Sequence, residues 1–164
     1  MKINIVKYNP NWTNIFHQTK SQLENALPGA DIEHIGSTSV EGLMSKPIID
    51  ILIGIPNQTN LDDCIDIISS LGFTYISKYE NDIPNRRFFI LDINNKRTHH
   101  IHLVKKGTDW FKRHIAFRDE LRKNKKVKFD YQLLKLQLAT IDWKSGDDYA
   151  EAKSSFIRSV ENNI

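Results

Sequence analysis

The sequence predicts an α+β fold: a mixed β-sheet flanked by helices, followed by a helical C-terminal part. Three observations carry this reading. "PIIDILIGI", residues 47–55, is a near-continuous apolar run, the pattern of a central strand covered on both faces. Shorter β-rich runs and two amphipathic helical patterns surround it. From Thr108 onward only helical patterns remain.

Ile3, Ile5 and Tyr8 alternate with polar residues and predict a short first strand, ended by Asn9-Pro10. Trp12, Ile15, Phe16, Leu23, Ala26 and Leu27 recur at three- and four-residue steps. They predict an amphipathic helix over 11–27 that Pro28-Gly29 stops. Residues 31–36 read as a brief strand entering the Gly-Ser-Thr-Ser turn at 36–39. A short helical turn over 39–45 then leads to the central strand at 47–55. Ile65 and Ile68 share one face of a helix over 61–71, with Gly72 at its C-terminal stop. Three strands follow, "FTYISKY" from 73, "RRFFILDI" from 86 and "THHIHLVKK" from 98, and Asn94-Asn95-Lys96-Arg97 has the composition of a hairpin turn. Helices are expected over 108–123, 125–141 and 146–162, the last favoured by Asp147 and Asp148 at its positive N-terminal end. With no repeat, low-complexity tract or linker, residues 1–164 read as one domain.

A chain of 164 residues, 40% apolar and 26% charged, can bury a core and is not of disordered composition. The formal net charge of +3 gives no field strong enough to name a partner. Residues 112–128 are rich in Lys and Arg, either as a solvated helix face or as a basic rim beside a phosphate-bearing ligand. No aromatic RNA-binding motif or zinc spacing accompanies them, so nucleic acid is not the expected partner. Cys64 is the only cysteine and sits at apolar helical spacing, as a small core residue would. The N-terminal residues lack an apolar signal region, and no window approaches a membrane-spanning run. The expected location is therefore the cytoplasm, with no membrane partner and an oligomeric state that is not readable.

The chemistry centres on Asp50, a carboxylate inside the apolar strand. A buried ionised carboxylate is costly unless it is paired, hydrogen-bonded or bound to metal. It is therefore a structural aspartate or a strand-end site residue. Gly36 and Ser37 leave a strand for a short helical segment, a geometry that presents N–H groups and a hydroxyl to phosphate oxygens, with Thr38 as a further donor. Taken alone, such a turn is as readily structural. Lys46, just before the central strand, could add a cation or simply be solvated. In "THHIHLV", His100 and His102 point to one face of a strand and His99 to the other. The pair could share a divalent metal, one ring could act as acid-base group, or both could be ordinary edge-strand histidines. His34 lies two residues before Gly36 and could join them. Arg118 and Arg122 are one helical turn apart, as a phosphate clamp or as a surface pair. No Walker loop, GxGxxG, GxSxG or HExxH motif is present.

"YNPNW" followed by a helix, "IEHIGSTSVEGLMSKPIIDILI", "HHIHLV" and "FRDELR…Y…LK" resemble the GrpB family of bacterial proteins over roughly residues 5–160. That family is similar to the nucleotidyltransferase superfamily with its polymerase-beta-like fold. The resemblance implies a Gly-Ser turn holding a triphosphate and acids on neighbouring strands holding two Mg²⁺ ions. Gly36 and Ser37 match the turn, and Asp50 matches the first acid. The second acid should stand at position 52, which is leucine, and the third acid's strand corresponds to "HHIHLV". The implied function is a divergent nucleotidyltransferase-like protein that binds a nucleoside triphosphate or other phosphorylated small molecule with a divalent metal, Mg or Mn, with Zn also compatible. Asp50, His100 and His102 would hold the metal, Asp50 and His102 would carry catalysis, and Gly36, Ser37, Thr38, Lys46, Arg118 and Arg122 would bind substrate. A non-catalytic phosphometabolite-binding module and a metal-dependent phosphoester hydrolase are the alternatives.

Overall fold

The computed structural model describes residues 1–164. Its centre is a five-stranded mixed sheet formed by β1 (Asp31–Ile35), β2 (Ile49–Ile55), β3 (Thr74–Ile76), β4 (Arg87–Ile93) and β5 (Lys96–Lys105), in the order β1-β2-β5-β4-β3. β2 runs parallel to β5, and every other pair is antiparallel. The apolar run at 47–55 thus supplies the strand flanked on both sides, as expected. β4 and β5 are joined by Asn94-Asn95, whose φ values of 52° and 62° are left-handed. Two such residues make the tight turn that matches the twist of a hairpin, and asparagine tolerates it better than other side chains.

The helices are α1 (Asn11–Ala26), α2 (Ile65–Ser70), α3 (Asp109–Lys123), α4 (Lys125–Ala139), α5 (Gly146–Ala152) and α6 (Ser154–Asn162). Side chains capping the N-termini of α3, α4 and α5 come from Thr108, Asn124 and Ser145, each satisfying an otherwise unpaired N–H. No helix is long and apolar enough to cross a membrane.

Side-chain alternation divides the sheet into two unlike faces. Ile49, Ile51 and Ile53 of β2, with Ile101 and Leu103 of β5, pack against Trp12, Phe16 and Leu23 of α1 and Ile68 of α2 to form the main core. Burying each of these side chains contributes roughly 1.5–3 kcal/mol. The opposite face is apolar only in part. Ile35, Leu52 and Val104 pack there against Trp110, Phe111 and Ile115 of α3, while Asp50, His100 and His102 stand beside them on the same face through the register Ile35–Asp50–His100 and Leu52–His102. Val40, Leu43, Leu121 and Tyr131, with Phe117 and Phe156, tie α3, α4 and α6 to the segment between β1 and β2.

Five segments depart from the sequence reading, the first being the helical turn expected over 39–45, which is a 3₁₀ turn at Ser37–Ser39 instead. Residues 3–8 form no strand of the sheet; Val6 makes a single two-bond bridge to Ser45 in the loop before β2, at 2.9 and 3.0 Å. The helix expected over 61–71 begins as a 3₁₀ turn at Leu61–Cys64, with the Asn60 side chain accepting from Asp62 N–H, before α2 proper. The strand from 73 keeps only Thr74–Ile76 and turns into a 3₁₀ segment at Ser77–Tyr79. The helix over 146–162 divides at Lys153 into α5 and α6, and the Lys153 Nζ lies over the Tyr149 ring.

Candidate functional site

The Gly36-Ser37 turn and Asp50 are in direct contact. β1 ends at Ile35, the cross-strand partner of Asp50. Gly36 then adopts φ 72°, ψ −178°, a region essentially closed to residues with a Cβ. A Cβ at Gly36 would overlap Asp50 Oδ2 and approach its Cβ and Cγ to 3.0 Å. Only glycine lets the turn lie against the carboxylate.

Ser37 Oγ accepts a hydrogen bond from Lys135 Nζ of α4 at 2.9 Å, and the same ammonium donates to Met44 O. Lys135 is 2% exposed. Burial, reinforced by the charges of Lys153 and Lys46, pushes its pKa down to about 7. Lys46 and Lys153 approach the buried Tyr149 ring, their Nζ atoms 5.1 and 4.6 Å from its centroid. Burial lowers the pKa of both. Tyr131 completes the wall, its ring 5.0 Å from Lys135 Nζ. Fifteen salt bridges form in the protein, and none involves Lys46, Lys135 or Lys153. Three cations thus gather beside a Gly-Ser turn with no salt bridge, and Asp50 only partly offsets through space the effect of burial on Lys46 and Lys153.

Asp50 is bracketed by the two imidazoles of β5. His100 Nδ1 lies 3.2 Å from Asp50 Oδ1, and His102 Nε2 lies 3.8 Å from the same oxygen. Burial acts to raise the Asp50 pKa, but the two imidazoles outweigh it and hold the carboxyl well below the usual carboxylate range. The far nitrogen of each ring faces an arginine: Arg86 Nη1 is 3.3 Å from His102 Nδ1, and Arg97 Nη1 is 3.3 Å from His100 Nε2. Guanidinium groups only donate, so those two ring nitrogens accept, and the nitrogens facing Asp50 carry the protons. Burial lowers the His102 pKa against the pull of Asp50, consistent with a neutral ring. Its other neighbours are Phe88 and Trp110, each 5.2 Å away between ring centroids.

A metal centre on Asp50, His100 and His102 does not fit this arrangement. In these tautomers the ring lone pairs are aimed at arginines, so a metal ion here would require both rings to move their protons and give up those contacts. Leu52, at the position of a second acid, is fully buried beside Ile35 and Val104. No group of three or more His, Cys, Asp or Glu side chains is placed to hold a metal ion.

Other expected site residues serve the fold instead. Thr38 is 1% exposed, and its hydroxyl donates to Ile48 O while accepting from His34 Nε2. His34 belongs to the opposite face from Asp50, stacked on Phe16 of α1 at 4.7 Å, and burial pushes its pKa down to about 4. Arg118 and Arg122 are not a clamp. Arg118 is buried and donates to Glu33 at 2.6 Å, Asp119 at 3.0 Å and His34 O at 3.1 Å. Arg122 donates twice to Ser39 O, at 2.9 and 3.0 Å. Sequence reasoning gave no role at the site to Lys135, Lys153, Tyr131 or Tyr149, although Tyr131 and Lys135 stand in the family motif "FRDELR…Y…LK".

The family model described as GrpB protein matches residues 2–163. The chain belongs to the GrpB family. Its relatives include the UPF0157 protein YqkA of Bacillus subtilis, 36% identical over 99% of this chain and 47% of that protein. The Glutamate-rich protein GrpB of Alkalihalophilus pseudofirmus is 30% identical over 98% of this chain and 94% of that protein. This GrpB chain therefore spans about half the length of the Bacillus subtilis relative and nearly all of the other. The crystal structure of conserved protein GrpB from Enterococcus faecalis superposes with a TM-score of 0.85 at 34% identity, covering 98% of this chain and 96% of that one. The Cid1 poly(U) polymerase superposes with a TM-score of 0.57 at 11% identity, over 85% of this chain and 42% of that chain. The fold is therefore nucleotidyltransferase-like, with the C-terminal helices packed beside the mixed sheet.

Proposed function

We propose that this GrpB protein binds the phosphate chain of a nucleotide, or of another phosphorylated small molecule, between the Gly36-Ser37 turn and Lys46, Lys135 and Lys153. The observation that carries the reading is a group of three lysines without a salt bridge, one donating to the Ser37 hydroxyl and the other two near enough to lower its pKa. Burying ammonium groups together is unfavourable, and an oligophosphate would neutralise all three at once through charge-assisted hydrogen bonds. The Cid1 poly(U) polymerase of like fold is described with Mg and 3′-dATP bound, which supports a nucleotide as the ligand. Leu52 and the imidazole orientations favour binding over transfer aligned by two metal ions.

Isothermal titration calorimetry with ATP and with inorganic tripolyphosphate tests this reading. Both are expected to bind the wild type. The Lys46→Ala/Lys153→Ala variant is expected to bind about ten-fold more weakly or worse, from the loss of hydrogen bonds to a charged ligand. Absence of binding by the folded wild type, or equal affinity in the variant, would refute it.

A further inference from the structure

We propose that Arg86 and Arg97, acting through His102 and His100, take the place of a divalent cation at Asp50, so that this face of the sheet receives its phosphate ligand without metal. The inference rests on the phosphate-binding reading above and extends it to the charge balance of the site.

Gly36 lies against Asp50, so any phosphate seated on the Gly36-Ser37 turn is brought close to an ionised carboxylate. Two anions in one partly dry site repel unless positive charge is supplied between or behind them. A metal ion is one solution; hydrogen-bonded cations are another. Here two chains of donors converge on one oxygen. Arg97 donates to His100, and His100 donates to Asp50 Oδ1 at 3.2 Å. Arg86 donates to His102, whose Nε2–H faces the same Oδ1 at 3.8 Å. Each guanidinium polarises the ring it meets, strengthening the His100–Asp50 hydrogen bond in one chain and the attraction of the His102 Nε2–H for Asp50 in the other.

Arg86 is held for this purpose. Its guanidinium carbon lies 5.9 Å from the Tyr79 ring centroid, 5.3 Å from Phe88 and 5.6 Å from Trp110. It makes no salt bridge, and its one side-chain hydrogen bond goes to His102. A half-buried guanidinium that keeps no carboxylate of its own, in a cage of three rings, directs its charge along the one polar contact it has. Arg97 is the exposed counterpart, anchored to Asp92 at 2.5 Å. Both are positioning residues, since neither touches Asp50.

Three measurements on the full chain test the proposal. Long-range ¹H–¹⁵N spectra of ¹⁵N-histidine protein report ring tautomers directly. His100 is expected as the Nδ1–H form and His102 as the Nε2–H form, with His102 losing that preference in Arg86→Ala. The opposite tautomers in the wild type would overturn the proposal. Tripolyphosphate titrated in EDTA is expected to bind within about two-fold of its affinity in excess Mn²⁺, while Arg86→Ala weakens it about ten-fold. Binding that appears only with Mn²⁺ and is lost in Asp50→Asn would overturn the metal-free claim while leaving the phosphate-binding reading intact. Electron paramagnetic resonance of Mn²⁺ added to the protein alone is expected to show only the free ion. A protein-bound signal abolished by Asp50→Asn would overturn the proposal, even if no phosphate compound binds and the broader reading fails.

Discussion

Lys135 offers the sharpest energetic test of the lysine cluster. Its ammonium is 2% exposed, and burial with two neighbouring lysines brings its pKa from 10.5 to about 7. In the unfolded chain it returns to the ordinary lysine value. Between about pH 7 and 10.5 the unfolded state therefore binds more protons than the folded state, and stability rises with pH. Below about pH 7 both states are protonated, and the contribution is constant. Each pH unit inside the window is worth about 1.4 kcal/mol. Raising the pH from 7.5 to 9.5 should therefore stabilise the wild type by roughly 2–3 kcal/mol relative to Lys135→Met, which lacks the titrating group. Urea unfolding of both proteins across this range, compared as a difference, removes the contribution of groups that do not interact with Lys135. Parallel pH profiles for the two proteins would show that the ammonium is not desolvated, and the reasoning would fall. The same shift makes phosphate binding take up a proton near neutral pH, seen as a dependence of the calorimetric enthalpy on buffer ionisation heat.

Gly36→Ala forces a Cβ into a glycine-only conformation and into Asp50. The backbone alone should cost about 1–3 kcal/mol, read as a lower urea midpoint, and a wild-type midpoint would contradict the placement of the turn. Arg122→Ala should leave tripolyphosphate affinity unchanged, because its donors close on Ser39 O; a tenfold loss would return that arginine to the binding site. His34, 6% exposed with its pKa pushed down by burial to about 4 from 6.5, contributes stability that is fully present above about pH 6.5 and is lost as pH falls to 4. Its share is on the order of 3 kcal/mol. His34→Gln, which keeps an N–H donor toward Thr38, should unfold less steeply over that window in pH-dependent denaturation, and identical slopes would contradict the assignment.

The sheet was legible where a strand's two faces share one character. The run around Asp50 is apolar on one face and mostly so on the other, and it formed an interior strand between β1 and β5. The Asn-Asn hairpin was legible because its turn demands two left-handed residues. The ends were harder. Residues 3–8 alternate correctly, yet they meet a loop, and alternation says nothing about whether a partner edge is available. The break at Lys153 was invisible because Lys and Ser continue a helix as readily as they end one.

At the site, local pattern placed Gly36, Ser37 and Asp50 on adjoining segments and gave His100 and His102 a shared face. It could not show where their hydrogen bonds go. The far nitrogen of each imidazole meets Arg86 or Arg97, and the hydroxyl of Ser37 is met by a lysine 98 positions away in the chain. Arg118 and Arg122 illustrate the converse. Their spacing suits a clamp, but the nearest acceptors after folding are Glu33, Asp119 and backbone carbonyls. Long-range pairing decides such cases, and spacing along one helix does not contain it.

The central claim is that a phosphate chain seats on Ser37 among Lys46, Lys135 and Lys153. A crystal structure of the protein grown with ATP or tripolyphosphate tests it most directly. The account predicts phosphate oxygens within hydrogen-bonding distance of Ser37 Oγ and Lys135 Nζ, with Lys46 and Lys153 turned from Tyr149 toward the ligand. Phosphate density found instead along the basic residues 112–128, with the lysine cluster unchanged, would contradict it.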